Sequence, residues 1–136
     1  MSKNILVIDE EKISFKGIVI ILKEGLYETE LSFDYVRTGS DGLQKLSQMN
    51  YNLIILDMML PKGEMQVKLE REDLCYGVDV LEKIVESGIK TKVICFTNVR
   101  DTSIISEINR LGGIYICKLT IDSNTRLIQE VKSLIK

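Results

Sequence analysis

Short apolar runs alternate along this chain with longer stretches whose apolar positions recur every three or four residues. The runs at 4–8 (NILVI), Leu31–Val36 (LSFDYV), Leu53–Leu56 (LIIL), 92–96 (KVICF) and Ile114–Cys117 (IYIC) predict five strands. The stretches between them predict helices. In 10–25, Ile13, Ile18, Ile21 and Leu22 stand close to helical spacing, and Gly25 fits a helix end. In 40–49, Ser40 is a plausible N-cap, with Leu43 and Leu46 on one face. In 77–87, Val78, Leu81 and Val85 are in phase. Residues 101–113 read as a helix closed by glycine, and 123–136 as the last helix. Five βα units in succession imply an α/β fold, a doubly wound parallel sheet with helices on both faces. The near-continuous apolar strands agree, because such strands are covered on both sides.

One stretch breaks the alternation. Residues 61–76 (PKGEMQVKLEREDLCY) lie between the third strand and its helix. A βα loop usually has about 2–6 residues, so this is an extended, charge-rich connection. It reads as a mobile flap or as holding a short helix around 68–73.

Composition bounds the rest. At 136 residues the expectation is one domain, 1–136, able to bury a real core. Hydrophobic residues at 45% and charged residues at 28% are ordinary for a globular chain. A net charge of −2 gives no basic field for nucleic acid or anionic membrane. No apolar run is long enough to span a bilayer, and acids interrupt the short apolar core of the N-terminus, so no signal peptide is expected. The expected location is the cytoplasm. Cys75, Cys95 and Cys117 lack close pair spacing, which reads as reduced thiols, with Cys95 and Cys117 as core packing. The absence of histidine removes the commonest general base and zinc ligand, and rules out a phosphohistidine on this chain.

The chemistry sits at the strand ends. Open parallel sheets bind ligands at the carboxyl edge. Asp9 and Glu10 follow the first strand, Asp57 the third, Thr97 the fourth and Lys118 the fifth. Taken singly, each is more often a cap or a solvated loop residue. Together they converge on one edge. Three carboxylates there are costly unless a cation joins them, and hard oxygen donors suit Mg²⁺. Metal, ammonium, hydroxyl and a free carboxylate suit a phosphoryl group.

At these motifs the whole chain resembles the receiver domain of bacterial-type response regulators, which implies the flavodoxin-like strand order 2-1-3-4-5. ILVIDEEK is similar to the acidic pair after strand one, LIILDMMLP to the phosphoacceptor strand, VICFTN to the switch strand and YICK to the last motif. The resemblance implies a phosphoacceptor at Asp57. It implies Mg²⁺ held by Asp9, Glu10, Asp57 and the backbone carbonyl of Met59. Thr97 would be the switch hydroxyl, Tyr115 the rotating aromatic and Lys118 the phosphoryl-binding lysine. The implied partners are a histidine kinase or histidine phosphotransfer protein and a downstream protein target. The output face would be the fourth helix, fifth strand and fifth helix.

Three positions depart from the family pattern. Leu119 follows Lys118 where proline is usual, so a trans bond and an altered path for residues 120–122 are expected. Asn98 follows Thr97 where a small residue is usual. The glycine that opens the third helix is Gly77, which makes 62–76 an insertion beside the site. These departures sustain a rival reading, a receiver-like interaction module not regulated by phosphorylation. A flavodoxin fits worse, because DEEK after strand one repels a phosphate. A haloacid-dehalogenase phosphatase also fits worse, because it wants Asp-x-Asp there. The last helix, with Leu127, Ile128, Val131, Leu134 and Ile135, has a stripe wide enough to cover the sheet and to leave room for a partner or a homodimer contact. The chain is read as either a stand-alone receiver or one domain of a longer protein.

Overall fold

The computed structural model describes residues 2–136. In chain order it contains β1 (Lys3–Ile8), α1 (Lys12–Gly25), β2 (Leu31–Val36), α2 (Gly39–Gln48), β3 (Leu53–Leu56), α3 (Gly77–Glu86), β4 (Val93–Thr97), α4 (Thr102–Arg110), β5 (Ile114–Cys117) and α5 (Ser123–Leu134). The strands form one parallel sheet in the order β2-β1-β3-β4-β5. This is the α/β flavodoxin-like arrangement expected from the sequence.

The two-residue period of each strand splits its side chains between two cores. Ile5, Val7, Leu53, Ile55, Ile94 and Phe96 pack under α1 and α5 with Ile18, Leu22, Leu127 and Val131. Leu6, Ile8, Ile54, Leu56 and Cys95 pack under α2, α3 and α4, with Leu81, Ile84, Ile104 and Ile108. Burying one such aliphatic side chain is worth about 1.5–3 kcal/mol, so both helical layers are held chiefly by this surface. Cys75, Cys95 and Cys117 are free and buried.

Several local expectations need correction. Ile13 is 81% exposed. It stands five residues before Ile18, about 140° round the helix from the buried Ile18–Leu22 face. Val85 is exposed, and its place on the buried face of α3 is taken by Ile84, which continues the Val80–Leu81 stripe. The N-cap of α2 is Thr38 rather than Ser40, its Oγ1 accepting from the N–H of Asp41. No helix forms at 68–73, where the chain runs through turns. All five apolar residues at the end of α5 pack on the chain's own core.

The insertion is nonetheless anchored. It leaves and returns at one point, because the N–H groups of Leu60 and Gly77 both donate to the carbonyl of Met58, each at 2.9 Å. Met65, Cys75 and Tyr76 are buried in the α2–α4 core. Gly77 fits only because it lacks a side chain: a Cβ there would lie 2.3 Å from the Asp57 carbonyl oxygen and 2.5 Å from Met58 Cα.

Gly77→Ala is therefore expected to destabilise the fold by roughly 1–3 kcal/mol or more, since the clash is with backbone that cannot rotate away. Gly17→Ala, in the interior of α1 where a Cβ meets open space, is expected to stabilise by about 0.5–1 kcal/mol. Urea denaturation of the two variants checks both signs. Equal effects would contradict the backbone packing described at Gly77.

Candidate functional site

Strand register carries the sheet's hydrogen bonding up to the site. Ile8 pairs with both Val36 and Leu56, so Asp9 and Asp57 emerge side by side. The Asp9 N–H donates to the Val36 carbonyl at 3.1 Å, and the Asp57 N–H to the Ile8 carbonyl at 3.0 Å. On the other flank, the Lys118 N–H donates to the Thr97 carbonyl at 2.9 Å. Asp9, Asp57 and Lys118 are thus each fixed by a backbone bond to the neighbouring strand.

Three of the sequence-predicted residues meet directly. The Lys118 ammonium lies 2.9 Å from Asp9 Oδ2 and 3.2 Å from Asp57 Oδ2. Its third donor goes to Ser14 Oγ at 2.9 Å, which satisfies the group. The ammonium also lies 5.6 Å from the centroid of the Phe96 ring. Burial opposes the charge on Lys118, but Asp57 and Asp9 outweigh it and hold the ammonium above the usual lysine value. The second oxygen of each carboxylate is oriented by backbone: Asp9 Oδ1 accepts from Glu11 N–H at 2.9 Å, and Asp57 Oδ1 from Met59 N–H at 3.3 Å. Ser14 was not singled out from sequence, because a serine in the first turn of a helix carries no signal of its own. Only the folded geometry brings it to Lys118.

The other expected residues take separate places. Thr97 is fully buried, and its Oγ1 accepts from the Val99 N–H at 3.3 Å. The Tyr115 hydroxyl donates to the Val99 carbonyl at 2.6 Å, so Thr97 and Tyr115 meet at one residue. Glu10 is exposed; its backbone carbonyl accepts from Arg37 Nε at 2.9 Å. The peptide before Leu119 is trans, and Asn98 is exposed. Burial pushes the Cys95 thiol up to about 12, which makes it a poor nucleophile at neutral pH.

Asp57 opens onto a cleft of about 470 Å³ that Glu10, Glu11, Met59 and Leu60 also line. The remaining lining comes from the insertion. A wider groove of about 730 Å³, lined by Phe15, Val19, Ile20, Leu31 and Phe33, contains none of the strand-end acids.

Among the described residues, no group of three or more His, Cys, Asp or Glu is gathered closely enough to hold a metal unaided. The donor chemistry nevertheless suits a hard cation. Asp9 and Asp57, both buried, share one ammonium, which leaves the trio formally one negative charge in excess. Glu10 and Met59 line the same cleft as Asp57. Mg²⁺ characteristically binds through one or two carboxylates and keeps several waters.

The sequence matches the response regulator receiver domain family over residues 5–131. The chain belongs to that family and is a receiver domain. It is 32% identical over 93 residues to the transcriptional regulatory protein DltR of Streptococcus agalactiae, covering 68% of this chain and 34% of DltR. Identity to CutR of Streptomyces coelicolor is 28% over 99 residues, covering 73% of this chain and 38% of CutR. The chain thus spans about a third of the length of these relatives. Similar folds occur in the receiver domain of the Francisella response regulator 1452 and in a CheY-like receiver domain from Methanospirillum hungatei. The first has TM-score 0.75 and 23% identity, covering 98% of this chain and 96% of that one. The second has TM-score 0.75 and 22% identity, covering 99% and 94%. No helix among the described residues is long and apolar enough to cross a membrane.

The shared ammonium generates a contrast in stability. Lys118→Met strands two buried carboxylates and is expected to cost about 3–5 kcal/mol at neutral pH. Asp57→Asn keeps the shape and relieves one of the two like charges, so its stability is expected to stay within about 1 kcal/mol of the wild type. Urea melts at neutral pH compare them, and a Lys118→Met protein as stable as Asp57→Asn would contradict the shared-cation account.

Proposed function

We propose that this receiver domain is phosphorylated on Asp57, in a two-component or phosphorelay pathway, by a histidine kinase or histidine phosphotransfer protein. The observation that carries the reading is Asp57 itself. Its carboxylate opens onto a cleft, yet it is oriented by the Met59 N–H and paired with a buried ammonium. A carboxylate so held is a nucleophile with one oxygen anchored and charge compensation in place.

In the proposed step an Asp57 oxygen attacks phosphorus, a P–O bond forms, and the P–N bond of the donor phosphohistidine breaks. The leaving imidazole keeps the electron pair and takes a proton from solvent. Lys118 stays charged throughout and neutralises phosphoryl oxygens, as its position between Asp9 and Asp57 supports. Asp9, Glu10, Asp57 and the Met59 carbonyl are the residues that would hold Mg²⁺. When bound, it supplies positive charge against the phosphoryl oxygens.

The readout follows from hydrogen-bond competition. Thr97 Oγ1 now only accepts, from the Val99 N–H, and a phosphoryl group offers its hydroxyl proton a charged acceptor. Turning the hydroxyl leaves that N–H unpaired and disturbs Val99, whose carbonyl holds Tyr115. The face of α4, β5 and α5 would then change toward a downstream protein target. Phosphorylation shifts this equilibrium only as far as it stabilises one state over the other. The reading places the protein in the cytoplasm, where kinase donors act.

Intact-mass analysis after incubation with acetyl phosphate and Mg²⁺ tests the proposal. One phosphoryl adduct is expected on wild type, with none on Asp57→Ala and none in EDTA. Absence of an adduct, together with no amide shifts around Thr97 and Tyr115 in beryllofluoride, would overturn it in favour of a phosphorylation-independent interaction module.

A further inference from the structure

The insertion supplies half of the residues lining the cleft above Asp57, namely Pro61, Lys62, Glu70, Leu74 and Tyr76. It is held there by specific bonds. The buried Tyr76 donates its hydroxyl to Glu70 Oε2 at 3.0 Å and accepts from the Arg71 N–H at 2.8 Å. Glu70 in turn pairs with Lys62 at 2.7 Å, and Arg71 pairs with Asp79 of α3 at 2.6 Å. The Lys62–Glu70 pair is largely exposed, so it contributes little by itself. Tyr76, rooted in the core, is the latch.

Leu74 adds a second observation. It is the one non-glycine among the described residues with a positive φ, at 59°, a conformation costly for a leucine. It is also 58% exposed, so core packing does not account for its side chain. It lines the Asp57 cleft, and there a bulky apolar group has a consequence: it occupies space that a water or a small anion would otherwise use. The charges agree. The cleft lining carries Glu10, Glu11, Asp57 and Glu70 against Lys62 alone, and Lys62 is engaged by Glu70. Lys118 offsets the Asp57 charge from beneath, so an anionic donor meets Glu10, Glu11 and Glu70 at the entrance.

We propose that the insertion is a latched screen over the phosphoacceptor, with Leu74 as its steric element and Tyr76 as its latch. The screen slows phosphorylation by small anionic donors and lengthens the life of the aspartyl phosphate. This rests on the reading of Asp57 as phosphoacceptor. In the hydrolysis that the screen retards, a water oxygen attacks phosphorus and the P–O bond to Asp57 breaks. Inorganic phosphate leaves, the carboxylate is regenerated, and the water proton passes to solvent. Leu74 and Tyr76 are positioning residues in this scheme; neither exchanges a proton or a bond.

Two variants of the full chain test it. Leu74→Gly removes the side chain and also suits the positive φ, so the screen opens without loss of stability. Tyr76→Phe keeps the buried ring and deletes only the latch hydroxyl. Both the rate of adduct formation from acetyl phosphate with Mg²⁺ and the rate of aspartyl-phosphate decay after donor removal are followed by intact mass. In Tyr76→Phe each is expected to rise roughly three- to tenfold, the change that one net hydrogen bond corresponds to, and in Leu74→Gly by more than about twofold, while the melting temperature of Leu74→Gly does not fall. Rates of both variants within about twofold of wild type would overturn the screen and leave the phosphoacceptor reading standing. An adduct on Leu74→Gly but not on wild type would be the screen in its extreme form. No adduct on any of the three would overturn the screen, and the phosphoacceptor reading falls with it if beryllofluoride also leaves the amides around Thr97 and Tyr115 unshifted.

Discussion

One ammonium shared by two buried carboxylates sets the terms for the rest of the structure. Asp9 and Asp57 come from neighbouring strands, and their like charges, out of water, oppose the pairing that brings those strands together. Lys118 comes from β5, two strands from β3 and three from β1 in the sheet order. Strand spacing of about 4.8 Å puts those origins roughly 10 and 14 Å away. The lysine stem covers part of that distance by crossing the end of β4, which is why the ammonium lies close to the Phe96 ring. A shorter cation at the same position leaves both acids uncompensated. Strand order and site charge are therefore linked: this order puts the ends of β1 and β3 side by side within reach of the lysine that follows β5.

The same edge carries two separate hydrogen-bonded groups. Asp9, Asp57, Lys118 and Ser14 form a closed group in which every ammonium donor is used. Thr97 and Tyr115 lie outside that group and share Val99. Val99 is only partly buried and stands beyond the end of β4, outside the ladder bonds of the sheet. The two groups are contiguous, because Lys118 and Thr97 are joined through a backbone hydrogen bond.

The strands were legible because a strand buried on both faces has to be apolar throughout, and such runs are conspicuous. The convergence of Asp9, Asp57, Thr97 and Lys118 on one edge was legible for a topological reason, since parallel strands deliver all their carboxyl ends to the same side. Helix faces were less secure. Ile13 and Val85 fit a helical period, yet the buried face was decided by which neighbours the sheet presented, and Ile18 and Ile84 won. Thr38 and Ser40 are both competent caps, and only the backbone angles choose between them. Ser14 was out of reach, since its role depends on a contact with a residue 104 positions away. The insertion misled in another way. Its charges suggested a mobile flap or a helix; no helix forms, and Met65, Cys75 and Tyr76 tie it to the core by a burial that is invisible without the core they enter.

That an insertion of this length sits beside the most constrained residue in the chain has a simple physical basis. Leu60 and Gly77 both donate to the Met58 carbonyl, so the segment departs and returns at a single atom next to Asp57. The entropy of closing a loop grows only with the logarithm of its length, about 0.6 kcal/mol for each doubling. With the ends fixed together, added residues do not pull on β3 or on the start of α3. Gly77 completes the arrangement by letting the returning chain touch the backbone of Asp57 and Met58. The polar contacts of Asp57 are made with Met59 and Lys118, both outside the segment, while half of the residues lining its cleft come from it. Sequence change at the exposed positions of this segment, away from the buried Met65, Cys75 and Tyr76, can alter what lines the cleft while leaving the Met59 and Lys118 bonds to Asp57 in place.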